Sequence, residues 1–514
     1  MRRILAFLIV TAGATLASAQ APPPGLPPVP VPSENPATED KRVLGKILFW
    51  DEQLSGDDTV ACGTCHTGNR SGTDARVAIH PGVDVIVGTP DDVRGSPGVA
   101  HVDVNGNPVL DPVFGFNRQI TTRAANAAVM AAYSPELFWD GRARTTFFDP
   151  QTGLPSIATG GALENQALGP VLSSVEMGRD GRTWDHVAVK LQRSEPLGQA
   201  TAIPSDVLPA IAAHPSYPDL FQAAFGDAAI TGERIALAIA TYERTLVGNQ
   251  TPWDRFVAGV PGAMTPGQVA GWNFFRTSPC AACHTPPQFT NFTYRNIGVR
   301  PPAEDLGRQN VTGNVGDRGR FKVPTLRGVG LKATYMHNGQ FNNLQAVIAH
   351  YRPANPAIFL DNIDPILPVP VPPEVQPALI DFMANALTDP RVAAQTAPFD
   401  QPVLHAGNFP ELTFDPDKTT IRWPSLQGVA SYVIYRGDLD DLVDANADGL
   451  PDFGYGVCFS GSDPNQADAV FLDAELPEAG HGFFYLKGVR DVGQIRGLGV
   501  SSAGRPRVPA ASCP

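Results

Sequence analysis

Two copies of one five-residue pattern constrain this chain more than anything else in it: Cys62-Gly63-Thr64-Cys65-His66 and Cys280-Ala281-Ala282-Cys283-His284. Cys-x-x-Cys-His is the spacing used for covalent c-type haem attachment. The thiols form thioethers to the porphyrin vinyl groups, and the following histidine is held under the iron as proximal ligand. A zinc site or a pair of dithiol redox sites is the alternative. Zinc needs further Cys or His at tight spacing, and none lies close to either motif. Two copies therefore predict two covalently bound haem c groups, with Cys62, Cys65, Cys280 and Cys283 as attachment points and His66 and His284 as iron ligands.

The two motifs are approached in the same way. Ala37 to Asp51 has a helical pattern with Val43, Leu44, Ile47 and Leu48 on one face. Before the second motif, Thr265-Pro266-Gly267-Gln268 reads as N-cap, N1 proline and capping-box glutamine. Gly45 and Phe49 of the first approach match Gly271 and Phe275 of the second. An internal duplication, and hence two helical haem domains of related fold, is expected.

The remaining chain frames these domains. Arg2 and Arg3, a short apolar run and Ala17-Ser18-Ala19 have the form of a signal peptide over residues 1–19, so the mature protein is expected to be exported, periplasmic or extracellular. The apolar run is too short to span a membrane. Residues 20–36 are proline-rich and read as a semi-rigid, solvated linker. The first haem domain is placed at 37–260 and the second at 261–395. Residues 75–118 and 145–162 read as irregular loops. Helical patterns recur from Thr231 to about Gly248, from Leu344 to Tyr351 and from Val375 to Leu387. After about residue 400 the period changes to two, in Thr419–Trp423, Tyr432–Tyr435 and Phe483–Leu486, between Gly, Asp and Pro clusters. This predicts a small all-β sandwich over 405–514, resembling a fibronectin type III module. The fold class expected is mainly α: two cytochrome c-like domains followed by a β-sandwich.

A net charge of −13 argues against nucleic acid as a partner and makes a small basic electron carrier a natural one. Cys458 and Cys513 are the two cysteines outside the haem motifs. In an exported chain a disulfide between them is favoured over free thiols, worth about 4 kcal/mol in the chain-entropy account.

Several further stretches carry a resemblance. Leu44–Asp51, Phe138-Trp139-Asp140-Gly141-Arg142-Ala143, Glu164–Pro170, Val175-Glu176-Met177-Gly178, Tyr242-Glu243-Arg244-Thr245-Leu246, Lys322–Arg327 and Tyr335–Gly339, with both haem motifs, are similar to the dihaem cytochrome c peroxidase and MauG superfamily over about residues 40–390. The resemblance implies distal residues Gln166 and Glu176 at the first haem. Glu176 would move a proton between peroxide oxygens, the task for which an apolar pocket raises a carboxyl pKa. It implies Trp139 as an electron relay between the haems. His80 matches a histidine that caps the first iron in some members; a surface histidine is the alternative.

At the second haem the peroxidases use methionine as sixth ligand, and the matching position is Tyr351, as in the MauG type. Tyrosinate favours ferric and higher states. Met336, His350 or an open site remain alternatives. The resemblance also implies calcium between the haems. Separately, Asp444-x-Asn446-x-Asp448-Gly449, with Asp452 in register, starts like a calcium loop, but Tyr455 stands where glutamate is needed; a plain Asp-rich turn is the other reading.

The activity implied is reduction of hydrogen peroxide to water with electrons from a small cytochrome c or cupredoxin. The alternatives are MauG-type oxidation of a partner protein and a non-enzymatic dihaem electron carrier. The sequence does not fix the oligomeric state.

Overall fold

The computed structural model describes residues 25–405, apart from 85, 90, 107, 108, 116 and 354, and separate pieces of 413–496. The signal-peptide stretch, Cys513 and Asp444 to Gly449 lie outside the described residues.

Two hydrophobic cores organise residues 25–405. The first is built on α1 (Glu39–Trp50), which Thr38 caps by accepting from the Lys41 N–H. The apolar pattern predicts one buried face, but every residue from Val43 to Trp50 is buried. The single-turn helix α2 (Cys62–Cys65) follows. Two short hairpins come next, β1 (Ala78–His80) with β2 (Val93–Gly95) and β3 (Pro97–Ala100) with β4 (Arg118–Ile120). A third pairs β5 (Phe147–Phe148) with β6 (Pro155–Ile157). Both expected loop regions thus contain minimal sheets, too short to show a period of two. Helices α3 (Ala162–Leu172), α4 (Trp184–Leu191), α5 (Leu208–Ala213), α6 (Tyr217–Phe225) and α7 (Gly232–Glu243) complete this unit. The last stops at Glu243, short of Gly248.

The second core begins before residue 261. Trp253, on α8 (Pro252–Val257), is fully buried there with Trp272, Phe275, Phe289 and Phe382. These rings meet at centroid distances of 4.8 to 6.3 Å, largely edge-on or tilted, as aromatic quadrupoles prefer. Helix α9 (Pro266–Thr277) carries the expected capping box from Thr265 and Gln268 and leads into the single turn α10 (Cys280–Cys283). Then come β7 (Tyr294–Arg295), α11 (Gln309–Thr312), β8 (Phe321–Lys322), α12 (Leu344–Tyr351) and α13 (Gln376–Asp381), which runs on as a π-helical turn through Phe382–Ala386.

The matched glycines have a shared cause. A Cβ on Gly45 would sit 1.9 Å from the Ala238 carbonyl oxygen of α7, and one on Gly271 would sit 2.1 Å from the Ala378 carbonyl oxygen of α13. Each haem-motif approach helix crosses a later helix at backbone contact, a crossing that only glycine permits.

The linker expectation needs refinement. Residues 25–36 lack regular structure and are mostly exposed, but they are anchored to the first unit at several points. Leu26 and Val29 pack on the first core, the Pro27 and Pro30 carbonyls accept from Tyr133 and Arg244, and Asn35 is buried against Glu164 and Leu237. The expected boundary at 395 is likewise crossed. From α14 (Pro390–Ala394) the chain returns to the first unit, where Val392 and Phe399 join its core. Asp400 pairs with buried Lys46 at 2.9 Å, Gln401 caps the Gly68 N–H, and Val403 bridges to Thr201.

Beyond residue 405 the described strands form two antiparallel sheets. One is ordered β13 (Val470–Leu472), β10 (Thr420–Arg422), β9 (Thr413–Phe414). The other is ordered β12 (Val457–Cys458), β11 (Ser431–Asp438), β14 (Phe483–Asp491), β15 (Gln494–Arg496). Cys458 is disulfide-bonded.

Candidate functional site: two cavities joined by a tryptophan

Each Cys-x-x-Cys-His turn opens onto its own cavity. In the first, His66 Nδ1 lies 2.9 Å from the Gly72 carbonyl. In the second, His284 Nδ1 lies 3.1 Å from the Pro324 carbonyl and 3.2 Å from that of Phe289. A backbone carbonyl fixes the proton on Nδ1 and leaves Nε2 as the coordinating nitrogen. Burial holds both imidazoles neutral, pushing His284 down to about 4. Burial also raises all four thiols, Cys65 to about 12. Such thiols are poor redox nucleophiles. Among the described residues no three His, Cys, Asp or Glu side chains converge as a zinc site requires. The donor set therefore fits haem c at both turns.

The first cavity brings together His66, Gln166, Glu176 and Trp139. Gln166 comes from α3. Glu176 comes from a loop pinned to the β3–β4 hairpin: the Val99 N–H donates to the Val175 carbonyl at 3.1 Å, and Gln119 Nε2 donates to the Ser174 carbonyl at 2.7 Å. Burial raises the Glu176 carboxyl above its ordinary value, opposed by the Arg142 charge and a hydrogen bond from Ser173.

His80 is not among the residues that line this cavity. It sits on β1, its ring edge-on to Phe114 with centroids 4.8 Å apart, and Phe114 does line the cavity. His80 Nδ1 is buried without a hydrogen-bond partner among the described residues.

Two residues of this cavity were not assigned a role from sequence. Arg142 stacks over Phe138 with its guanidinium carbon 3.5 Å from the ring centroid and is held by Asp140. Glu243, buried on α7, is raised to about 8 by burial against the opposing Arg244 charge, and its Oε2 has no partner among the described residues. A carboxylate beside the apolar face of Ile235, Ile239 and Tyr242 was the available signal for Glu243. Arg244 itself is committed to Glu164 at 2.8 Å, which accounts for two of the resembling motifs structurally. Arg327 likewise pairs with Asp254 at 2.7 Å.

Trp139 lines both cavities, as do Ala124, Ala125 and Ala127. Its Nε1 donates to the Ala124 carbonyl at 2.8 Å, and its ring lies 6.4 Å from that of His337, edge to face. His337 stacks on Phe321 at 3.7 Å.

The second cavity contains Cys280, Cys283, His284, Met336 and Tyr351. Tyr351 ends α12, and burial raises its phenol. His350, one alternative ligand, instead bonds through Nε2 to the Ile297 carbonyl at 2.8 Å. Tyr351 and Met336 thus remain on the cavity wall.

Residues 39–261 match the family model described as di-haem cytochrome c peroxidase. The methylamine utilization protein MauG of Methylophilus methylotrophus is 31% identical over 329 residues, which cover 63% of this chain and 76% of that protein. The cytochrome c551 peroxidase of Nitrosomonas europaea is 28% identical over 348 residues, 67% of this chain and 82% of that protein. A solved MauG-like protein associated with microbial copper homeostasis aligns over 73% of this chain and 97% of its own, with 21% identity and a TM-score of 0.49. No described helix is long and apolar enough to cross a membrane. With two haem-attachment turns, each opening on a fitted cavity, this chain belongs to the di-haem cytochrome c peroxidase and MauG family, whose cofactor is haem c.

Proposed function

We propose that the protein is an exported dihaem peroxidase that reduces hydrogen peroxide to water at the His66 centre. The observation that carries this reading is the meeting of His66, Gln166 and an enclosed Glu176 in one cavity whose wall includes Trp139. Haem c, held by Cys62, Cys65 and His66, would supply the redox-active iron of this centre. Glu176 takes a proton from the peroxide oxygen nearer His66 and returns it to the leaving oxygen; its raised pKa suits both halves of that transfer. Gln166 orients the peroxide by hydrogen bonding. Arg142 keeps the Glu176 carboxyl from rising further and so from holding its proton too firmly. The overall step consumes one peroxide, two protons and two electrons and yields two waters. A small cytochrome c or cupredoxin would supply the electrons, and Trp139, which lines both cavities, would stand on the path between the His284 and His66 centres. The fibronectin type III-like stretch over 405–514 is an accessory module in this reading.

A second reading is favoured by Tyr351 on the wall of the second cavity: a MauG-type oxidase that removes electrons from residues of a partner protein. Optical and EPR spectra of the purified protein before and after stoichiometric peroxide test both. Rapid turnover with reduced cytochrome c supports the peroxidase. A long-lived oxidised species indifferent to cytochrome c supports the oxidase. Two low-spin centres inert to peroxide would leave only an electron carrier.

A further inference from the structure

The second cavity has a charge on its wall that the protein does not balance. Asp74, Arg295, Arg300, Lys322 and Lys332 are its acidic and basic lining residues. Asp74 pairs with Arg76 at 3.2 Å, Arg295 with Asp364 at 2.9 Å and Arg300 with Glu304 at 2.7 Å. Lys322 donates to Ser134 Oγ at 2.9 Å and to the Glu136 carbonyl at 2.8 Å, and the charges of Glu136 and Asp140 oppose its burial. Arg295 keeps an unpartnered Nε, but Asp364 meets its charge. Lys332 Nζ has neither a hydrogen-bond nor an ion-pair partner among the described residues. Burial pushes its ammonium down to about 8, and no carboxylate opposes that push.

The backbone under Lys332 is clamped. Pro324, eight residues earlier, accepts from His284 Nδ1 through its carbonyl. The Gly328 N–H donates to the Leu387 carbonyl at 2.8 Å. A single 3-10 turn, Val329–Leu331, then leads into Lys332. A Cβ on Gly330 would sit 2.2 Å from the Ala384 carbonyl oxygen, and Tyr335 donates its hydroxyl to the Val329 carbonyl at 3.2 Å. One fixed segment thus runs from the iron-ligand histidine to the lysine. The ammonium lies within electrostatic reach of His284, where it adds to burial in favouring the neutral imidazole.

A buried ammonium without a counter-ion is costly, and buried charges in native proteins are paired. Haem c brings two propionate carboxylates. In a cavity walled largely by apolar groups such as Val299, Leu326, Leu344 and Ile348, a carboxylate–ammonium attraction is much stronger than in water.

We infer that Lys332 is a positioning residue, the ion-pair partner of a propionate of the second haem, and that its charge raises the reduction potential of that haem. The inference rests on haem c in the second cavity and not on the peroxide reading.

The test is spectroelectrochemistry and resonance Raman spectroscopy of the full-length holoprotein, without peroxide. Lys332→Met removes the charge and roughly keeps the volume; Lys332→Arg keeps the charge. Both variants should carry two haems by mass, since attachment runs through Cys280 and Cys283. In Lys332→Met one of the two haem potentials should fall while the other holds, because losing a nearby cation disfavours the ferrous state. The propionate-bending band should shift in the same variant. Lys332→Arg should return both readouts towards the wild type. An unmoved propionate band in Lys332→Met would overturn the inference even if a potential fell, since a cation acting only through space leaves that band alone. Unmoved potentials, an equal fall of both, or a Lys332→Arg protein that matches Lys332→Met would also overturn it. Because peroxide is never added, an enzyme inert to peroxide with a paired propionate is distinguishable from an active one without the pair.

Discussion

Trp139 is tied to Ala124 by a single bond, its indole N–H donating to the Ala124 carbonyl at 2.8 Å, while the Ala124 N–H is itself held by the His337 carbonyl at 2.8 Å. The ring between the cavities is therefore registered to backbone from both units. Trp139→Phe keeps the ring volume roughly but loses the bond. Stopped-flow mixing should then show an unchanged first reaction with peroxide and slowed re-reduction by a reduced cytochrome. Slowing of both phases equally would assign Trp139 to packing alone.

Glu176→Gln removes the movable proton and keeps the shape. The rate of peroxide cleavage should fall by about 10²–10⁴-fold, with both haems still attached by mass and by spectrum. In the wild type, the raised carboxyl pKa predicts a pH dependence of cleavage displaced upward from that of an ordinary glutamate. Unchanged rates in the variant would remove Glu176 from the chemistry.

Tyr351→Phe tests the second cavity. If the phenolate holds the iron, its loss should raise the potential of the second haem and alter its ferric spectrum. Spectroelectrochemistry reads both. A potential that does not move would take the ligand role from Tyr351 and leave Met336, also on that wall, or an open site.

Glu243 makes a stability prediction with a definite sign. Burial pushes its carboxyl up to about 8 in the folded protein, against 4.5 for an ordinary glutamate. Between those values the folded protein holds a proton that the unfolded chain has released, so stability must fall as pH rises through that window. The cost reaches a few kcal/mol at most. Urea unfolding from about pH 5 to about pH 8 should show the decline in the wild type and a flatter profile in Glu243→Gln.

Gly45→Ala and Gly271→Ala each force a methyl group onto a backbone carbonyl. Each should destabilise its unit by about 1–3 kcal/mol or more. Similar losses from both would follow from the shared helix crossing.

The haem turns, their approach helices and the paired glycines were legible in the sequence because each is local: a spacing, a capping box, a repeated pattern. Gln166, Glu176 and Trp139 were legible only through the resemblance, since nothing about an isolated glutamate announces which cavity it lines. The anchoring of residues 25–36 was not legible either. Proline content predicts the absence of helix and strand correctly, but it does not tell whether an extended segment lies on protein or in water. Glu243 leaves one trace in the sequence, a carboxylate beside the apolar face of Ile235, Ile239 and Tyr242, but only the fold shows that it is enclosed.

The return of residues 392–403 to the first unit has a consequence for biogenesis. Val392 and Phe399 are part of a core that otherwise closes by Val247, so the first unit is not finished until the whole second unit has left the ribosome. The chain order thereby makes completion of the first core wait on the end of the second unit.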